Sequence, residues 1–227
     1  MPNLRRKRVS NTPFKPRKKQ KMNQSSAGSL ARPLANITPQ GVVVTVNYVT
    51  PIQLSDSSLG FANYYFRAAS IFDPDLSGTG HQPLGHDQLE TMYQRYRVLS
   101  ARITVEAVNS LTPSSPCTFY VAPRTTTSGI GPDSIQEATG TKHVVLGAGE
   151  NNVGKLSVYM NIDKMEGDPG AKYDKDYSAA FGSNPSRDAF FIVGCSNIAG
   201  GQQVAVACNV KIQYTVRCYD RIDLTSS

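Results

Sequence analysis

"VAVACNVKIQYTVRC", residues 204 to 218, decides the fold. Val204, Val206, Cys208, Val210, Ile212, Tyr214, Val216 and Cys218 take every second position, and Asn209, Lys211, Gln213, Thr215 and Arg217 fill the later gaps. A strand turns successive side chains to opposite faces. This alternation therefore describes a strand with one face on a core and the other toward water or a partner.

The same pattern recurs outward from that run. Leu99, Ala101, Ile103, Val105 and Ala107 alternate with Ser100, Arg102, Thr104 and Glu106; Leu156, Val158, Met160 and Ile162 alternate with Ser157, Tyr159 and Asn161. Val42, Val44, Val46 and Tyr48 open the first such segment, over 42–49. Shorter runs at 61–68, 117–122, 143–146 and 189–195 bring the count to about eight strands. Clusters such as "NSLTPSSP" (109–116) and "SNIAGGQQ" (196–203) separate them. Eight antiparallel strands with long, uneven connections favour two packed sheets over a tight meander. The fold class expected is all-β, an eight-stranded antiparallel jelly-roll sandwich with short helices in its loops.

Helices are minor. Leu89, Met92, Tyr93 and Tyr96 share one helical stripe, and Asp87 followed by Glu90 has the spacing of a capping box. A helix over about 88–94 follows from those two signals. A second short helix is expected to begin at Asp133, with Ile135 as its apolar contact.

The charge is divided along the chain. Of 24 Lys and Arg in 227 residues, ten lie in the first 32, with no acid among them: Arg5, Arg6, Lys7, Arg8, Lys15, Arg17, Lys18, Lys19, Lys21 and Arg32. The first carboxylate is Asp56; the remaining 14 cations face all 17 acids, so a basic block of +10 precedes a body of −3. Such a block, with few large apolar residues, cannot bury enough surface to offset the entropy of ordering. Two domains follow: a disordered basic arm over 1–40 and a single sandwich over 41–227.

The arm's Arg and Lys suit phosphates, Arg by bidentate contacts and Lys as a point charge. Arg5, Arg6, Lys7, Arg8, Lys15, Arg17, Lys18, Lys19 and Lys21 are the expected nucleic-acid-binding residues. The runs "RRKR" and "KPRKKQK" also have the form of a bipartite nuclear localisation signal. Phe14 is the arm's one aromatic, so base stacking there is minor. A solubilising tail is the plain alternative. The block is rich in Arg and poor in acid, like a mitochondrial presequence, but Pro13 and Pro16 do not suit the amphipathic helix that such a presequence forms. No apolar stretch behind the basic start makes a secretory signal, and no run approaches the roughly eighteen apolar residues of a membrane span. Cys117, Cys195, Cys208 and Cys218 show no C-x-x-C spacing, which gives no metal site or disulfide framework and fits synthesis in a reducing compartment.

The stretch "FDPDLSGTGHQPLGHDQ", residues 72 to 88, is the one that looks like chemistry. Asp73, Asp75, Ser77 and Gly78 imitate the first half of a calcium loop, but the twelfth position, which needs a bidentate Glu, is Leu84. A turn role for Asp73 and Asp75 is expected, because Asp bonds its own backbone and Pro presets φ. His81 and His86 miss the spacing of a helical zinc pair, and backbone hydrogen bonding is expected of both. No G-x-S-x-G, phosphate loop or readable nucleophile–base pair is present, so no catalytic residue, cofactor or metal is expected.

The longer segment "YYFRAASIFDPDLSGTGHQPLGHDQLETMYQRYRVLSARITVE", residues 64 to 106, with its "FDPD", its "GxGHQPxGxDQ" loop and its "YxxYxVxxxxIxV", is similar to capsid proteins of circular single-stranded DNA viruses that encode a replication initiator, the circovirus-like group. That resemblance implies a jelly roll assembling as a homo-oligomer of about sixty copies around a circular single-stranded DNA genome. It implies a virion protein that meets a host nuclear import receptor and assembles in the host nucleus; it names no cell-surface receptor. The runs 42–49 and 61–68 become the first two strands of the roll and 204–219 the last. The segment 72–98 becomes the loop between the third and fourth strands, with its aspartates and histidines structural. Coat proteins of small RNA viruses and satellites carry similar basic tails, and a non-viral β-sandwich that binds nucleic acid fits the same charge pattern.

Overall fold

The computed structural model describes residues 39–56, 60–110, 115–128, 131–147, 153–198 and 203–223. The strands are β1 (Gly41–Asp56), β2 (Phe61–Arg67), β3 (Tyr93–Asn109), β4 (Cys117–Arg124), β5 (Lys142–Leu146), β6 (Val153–Asn161), β7 (Ser178–Ala180), β8 (Phe190–Asn197) and β9 (Val204–Arg221). Three five-residue helices, α1 (His86–Glu90), α2 (Pro132–Gln136) and α3 (Ile162–Glu166), sit in the connections.

Two antiparallel sheets result. One has the order β1-β9-β3-β6, with the short β7 also on β3; the other has the order β2-β8-β4-β5. The chain passes from the first sheet to the second at β1–β2, back at β2–β3, over again at β3–β4, back at β5–β6, over at β7–β8 and back at β8–β9. Two four-stranded sheets woven in this order are a jelly roll. Eight of the nine strands are the ones expected; β7, three residues long, is the addition.

The alternation in the quoted run has the expected cause. Val204, Val206, Cys208, Val210, Ile212, Tyr214, Val216 and Cys218 are all buried, whereas Asn209, Lys211, Gln213 and Arg217 are exposed. β9 lies between β1 and β3, so both its backbone edges are paired and its inward row occupies the middle of the core. Tyr48, Phe66, Tyr96, Ile103, Phe119 and Phe191 close around that row, each fully buried. Burial of side chains of this size contributes roughly 1.5–3 kcal/mol each. The buried Tyr214 hydroxyl donates to the Arg67 carbonyl at 2.7 Å and ties β9 to the end of β2.

Three expectations need correction. The helix over 88–94 is only His86–Glu90, and Tyr93 and Tyr96 are buried from β3. Extended pairing of Tyr93 with Arg221 and of Tyr96 with Cys218 wins over the helical spacing. The capping box does not form: the helix starts after Gly85, whose φ of 93° suits glycine, and no side chain caps it. The segment 72–98 lies between the second strand and the third, not the third and the fourth, and its last residues, 93–98, are the start of the third strand itself. The first strand also runs on through Pro51 to Asp56, which an edge strand tolerates. The second helix is present as expected, with Ile135 fully buried beneath it.

Candidate functional site

The arm residues Arg5, Arg6, Lys7, Arg8, Lys15, Arg17, Lys18, Lys19 and Lys21 lie outside the described residues. Within the body, the corner over 72–88 carries Asp73, Asp75, His81 and His86.

Every carboxylate oxygen of Asp75 is occupied within the fold. Its Oδ1 accepts from the Ser77 amide at 2.9 Å and the Ser77 hydroxyl at 2.7 Å, and its Oδ2 accepts from the Tyr64 hydroxyl at 2.7 Å. The side chain is buried, and the turn closes through the Gly78 amide on the Asp75 carbonyl. Asp73 pairs with Arg67 at 2.8 Å, and the same guanidinium holds Asp188 at 2.9 Å through its Nε. Both aspartates of "DPD" therefore brace β2, but only Asp75 bonds the turn backbone as expected, whereas the Asp73 side chain is spent on Arg67.

The two histidines separate. His81 lies within hydrogen-bond distance of two backbone carbonyls, Gln82 at 2.8 Å and Val49 at 3.0 Å, and its ring stacks 4.7 Å from Tyr48. His86, expected to bond backbone, instead faces the Asp87 carboxylate at 3.3 Å through Nδ1. It is buried edge-on against Phe181, and its Nε2 has no hydrogen-bond partner. The helical turn from Gly85 removes it from the loop and drives it into the core. With Asp87 and Glu90 it forms the one group of three ligand-type atoms within 4.8 Å among the described residues. Both acids are exposed, and the buried ring packs beside Phe72 and Phe181.

All four cysteines sit in strands and are buried as free thiols. Burial pushes Cys117 and Cys218 up to about 11 and Cys195 and Cys208 up to about 12, so they remain protonated and weakly nucleophilic. The long connection 162–188 is laced internally. Asp163 pairs with Lys172 at 2.7 Å, Glu166 pairs with Arg187 at 2.6 Å, and Glu166 also accepts from the Tyr177 hydroxyl.

One arrangement escaped the sequence reading. The face of β1-β9-β3-β6 turned away from the core gathers Arg95, Arg97, Arg102, Lys155, Lys211 and Arg217. Among its paired outward positions the one acid is Glu106, 2.8 Å from Lys155. Alternation places Lys211 and Arg217 on one face of β9, but only the strand register sets them beside Arg97 and Arg102.

No family model and no curated protein matches the chain. Solved structures do. The structure of Desmodium yellow mottle tymovirus is 14% identical over 89% of this chain and 99% of its own, with a TM-score of 0.41. A crystal structure of the decameric BFDV capsid protein is 12% identical over 79% of this chain and 99% of its own, with a TM-score of 0.46. The structure of Cocksfoot mottle virus is 7% identical over 95% and 98%, with a TM-score of 0.46. The strand order within this chain is what identifies its fold.

Proposed function

We propose that this chain is a viral coat protein: it self-assembles into a small icosahedral shell and packages circular single-stranded DNA through its basic arm. The observation that carries this reading is the division of charge, +10 in the first 32 residues against −3 in the rest. A polycation joined to a mildly acidic, rigid body binds polyanion at one end and leaves the other free to pack against copies of itself. At about sixty copies, ten charges each supply about six hundred, which neutralises a substantial part, not all, of a genome of roughly a few thousand nucleotides. The single jelly roll supports the reading, because a two-layer body whose Asp73, Asp75 and four cysteines are spent on structure suits tiling. The similarity of residues 64–106 to circovirus-like coat proteins favours DNA as the cargo and the host nucleus as the place of assembly, reached through an import receptor. The arm over 1–40 then serves as both packaging segment and localisation signal, and the body over 41–227 forms the shell.

Expression of the full chain, electron microscopy and extraction of the enclosed nucleic acid test this. Uniform particles whose content DNase destroys support it. Particles holding only RNA would move the reading to an RNA virus or satellite. A chain that stays monomeric at every salt and nucleic-acid concentration would overturn it in favour of a nucleic-acid-binding protein with a sandwich body.

A further inference from the structure

We propose that the outward face of β1-β9-β3-β6 is a second nucleic-acid surface, which stacks a base on Tyr159 beside Arg102 and binds phosphates at Lys211 and Arg217. The inference rests on the reading above and adds to the arm a site built into the rigid body.

Charge is the first reason. The body over 33–227 has a net charge of −3, yet the paired outward positions of this face hold six cations and one acid. Lys155 already neutralises Glu106 at 2.8 Å, so the remaining cations have no acid on the face. Arg97 is buried here with its Nε unpartnered, 5.8 Å from the centre of the Tyr219 ring, where it adds a fixed positive charge under the surface. Cations collected on one face of an otherwise acidic body fit a polyanion.

The aromatic is the second reason. Tyr159 is 49% exposed on β6, and the Arg102 guanidinium lies 5.2 Å from its ring centre. An exposed ring beside a cation is a stacking platform for any base. The register puts Tyr159, Arg102, Gln213 and Asn47 in one row across four strands. The next row is Ser157, Thr104, Lys211 and Val49, and Arg217 lies four residues up β9 from Gln213. Strands about 4.8 Å apart and a rise of about 3.4 Å per residue place Lys211 and Arg217 about 20 Å apart along β9, with Tyr159 to one side between them. Backbone on β9 and base over β6 is a geometry for a single strand; a paired base has no face to offer Tyr159.

A second copy of the chain suits this face poorly. A symmetric contact would set these cations against their own equivalents, which is repulsive.

The test uses the full chain with a bromodeoxyuridine-substituted 20-mer and its ribonucleotide counterpart, irradiated and mapped by mass spectrometry. The expected crosslink lies in the peptide containing Tyr159, persists in Tyr159→Phe and disappears in Tyr159→Ala, an exposed position that spares the fold. Lys211→Gln with Arg217→Gln should lower the log–log salt slope by about 1.4, two phosphates at about 0.7 each. Crosslinks with either sugar support the face, and their relative yield identifies the preferred strand. Crosslinks confined to 1–40 with an unchanged slope would overturn the face and leave the arm's role standing. So would Tyr159→Ala abolishing assembly without changing crosslinks, which would make the face a contact between copies. A full chain that binds neither oligonucleotide overturns the parent reading instead.

Discussion

The Tyr120 hydroxyl donates to the Asn63 Oδ1 at 2.7 Å across the bare backbone of Gly194. The three residues form one row of the second sheet, Asn63 and Tyr120 each paired with Gly194 of β8. A Cβ on Gly194 would meet the Asn63 Oδ1 at 2.3 Å and the Tyr120 Cε2 at 2.4 Å. Gly194→Ala should therefore break the hydrogen bond and expel the Tyr120 ring from its site beside Ile135 and Ile192. A cost of about 2–4 kcal/mol is expected, overpacking plus a buried hydroxyl left unpaired. Urea unfolding of the unassembled chain measures it; a cost below about 0.5 kcal/mol would show that the row repacks freely.

Asp188 gives the body a pH dependence. Desolvation pushes its carboxyl up to about 6 against the opposing pull of the Ala189 amide and the Arg67 guanidinium, which it shares with Asp73. The folded chain thus holds this proton more tightly than the unfolded chain, where Asp titrates near 3.9. The resulting stability is complete below about 3.9 and is lost as pH rises through about 6. With the side chain 13% exposed, a loss on the order of 2 kcal/mol between pH 4 and 7 is expected from this residue. Asp188→Asn should remove that component, so denaturation curves of the two proteins converge at low pH and separate at neutral pH, the variant being the more stable there. Parallel curves at all pH values would show that Asp188 titrates alike in the folded and unfolded chains.

Asp75 discriminates a structural corner from a calcium loop. The carboxylate is buried and its three hydrogen bonds go to the Tyr64 hydroxyl and to the Ser77 amide and hydroxyl, so it is already organised from within the fold. Millimolar calcium or a chelator should leave the unfolding midpoint unchanged. Asp75→Ala should cost about 2–3 kcal/mol by stranding the Tyr64 hydroxyl and the Ser77 amide. A calcium-dependent rise in midpoint that Asp75→Ala abolishes would reverse this assignment.

Why some of this was legible and some not follows from burial. β9, β6 and the second half of β3 each have one wet face, so their alternation survives in the sequence. β8 packs Phe191 and Val193 on the core and Ile192 beneath α2, so it reads only as a short apolar run. The start of β3 misled because Tyr93 and Tyr96 continue the helical spacing of Leu89 and Met92, and only pairing with β9 makes them strand residues. β7 has no pattern of its own; it exists because Ser178 and Ala180 meet Arg97 and Arg95. The turn role of Asp75 was readable from turn chemistry; the pairing of Asp73 with Arg67 was not. The cationic sheet face was not, since it joins residues from positions 95 to 217 through register.

Deleting residues 1–32 tests the arm directly. An arm that engages seven to ten phosphates of a single strand gives a log–log salt slope of about −5 to −7. Its removal should leave the much smaller slope of the few cations on the sheet face, and should abolish import of a fluorescent fusion into nuclei. The fold should survive, because the core is built from Val46 to Cys218. The earliest described residue bonded to the body is Pro39, whose carbonyl accepts from the Tyr93 hydroxyl at 3.2 Å, and the deletion spares it. Circular dichroism and the urea midpoint should match those of the full chain within about 0.5 kcal/mol. Unfolding on deletion would make the arm part of the core, and full affinity after deletion would place the main nucleic-acid site in the body.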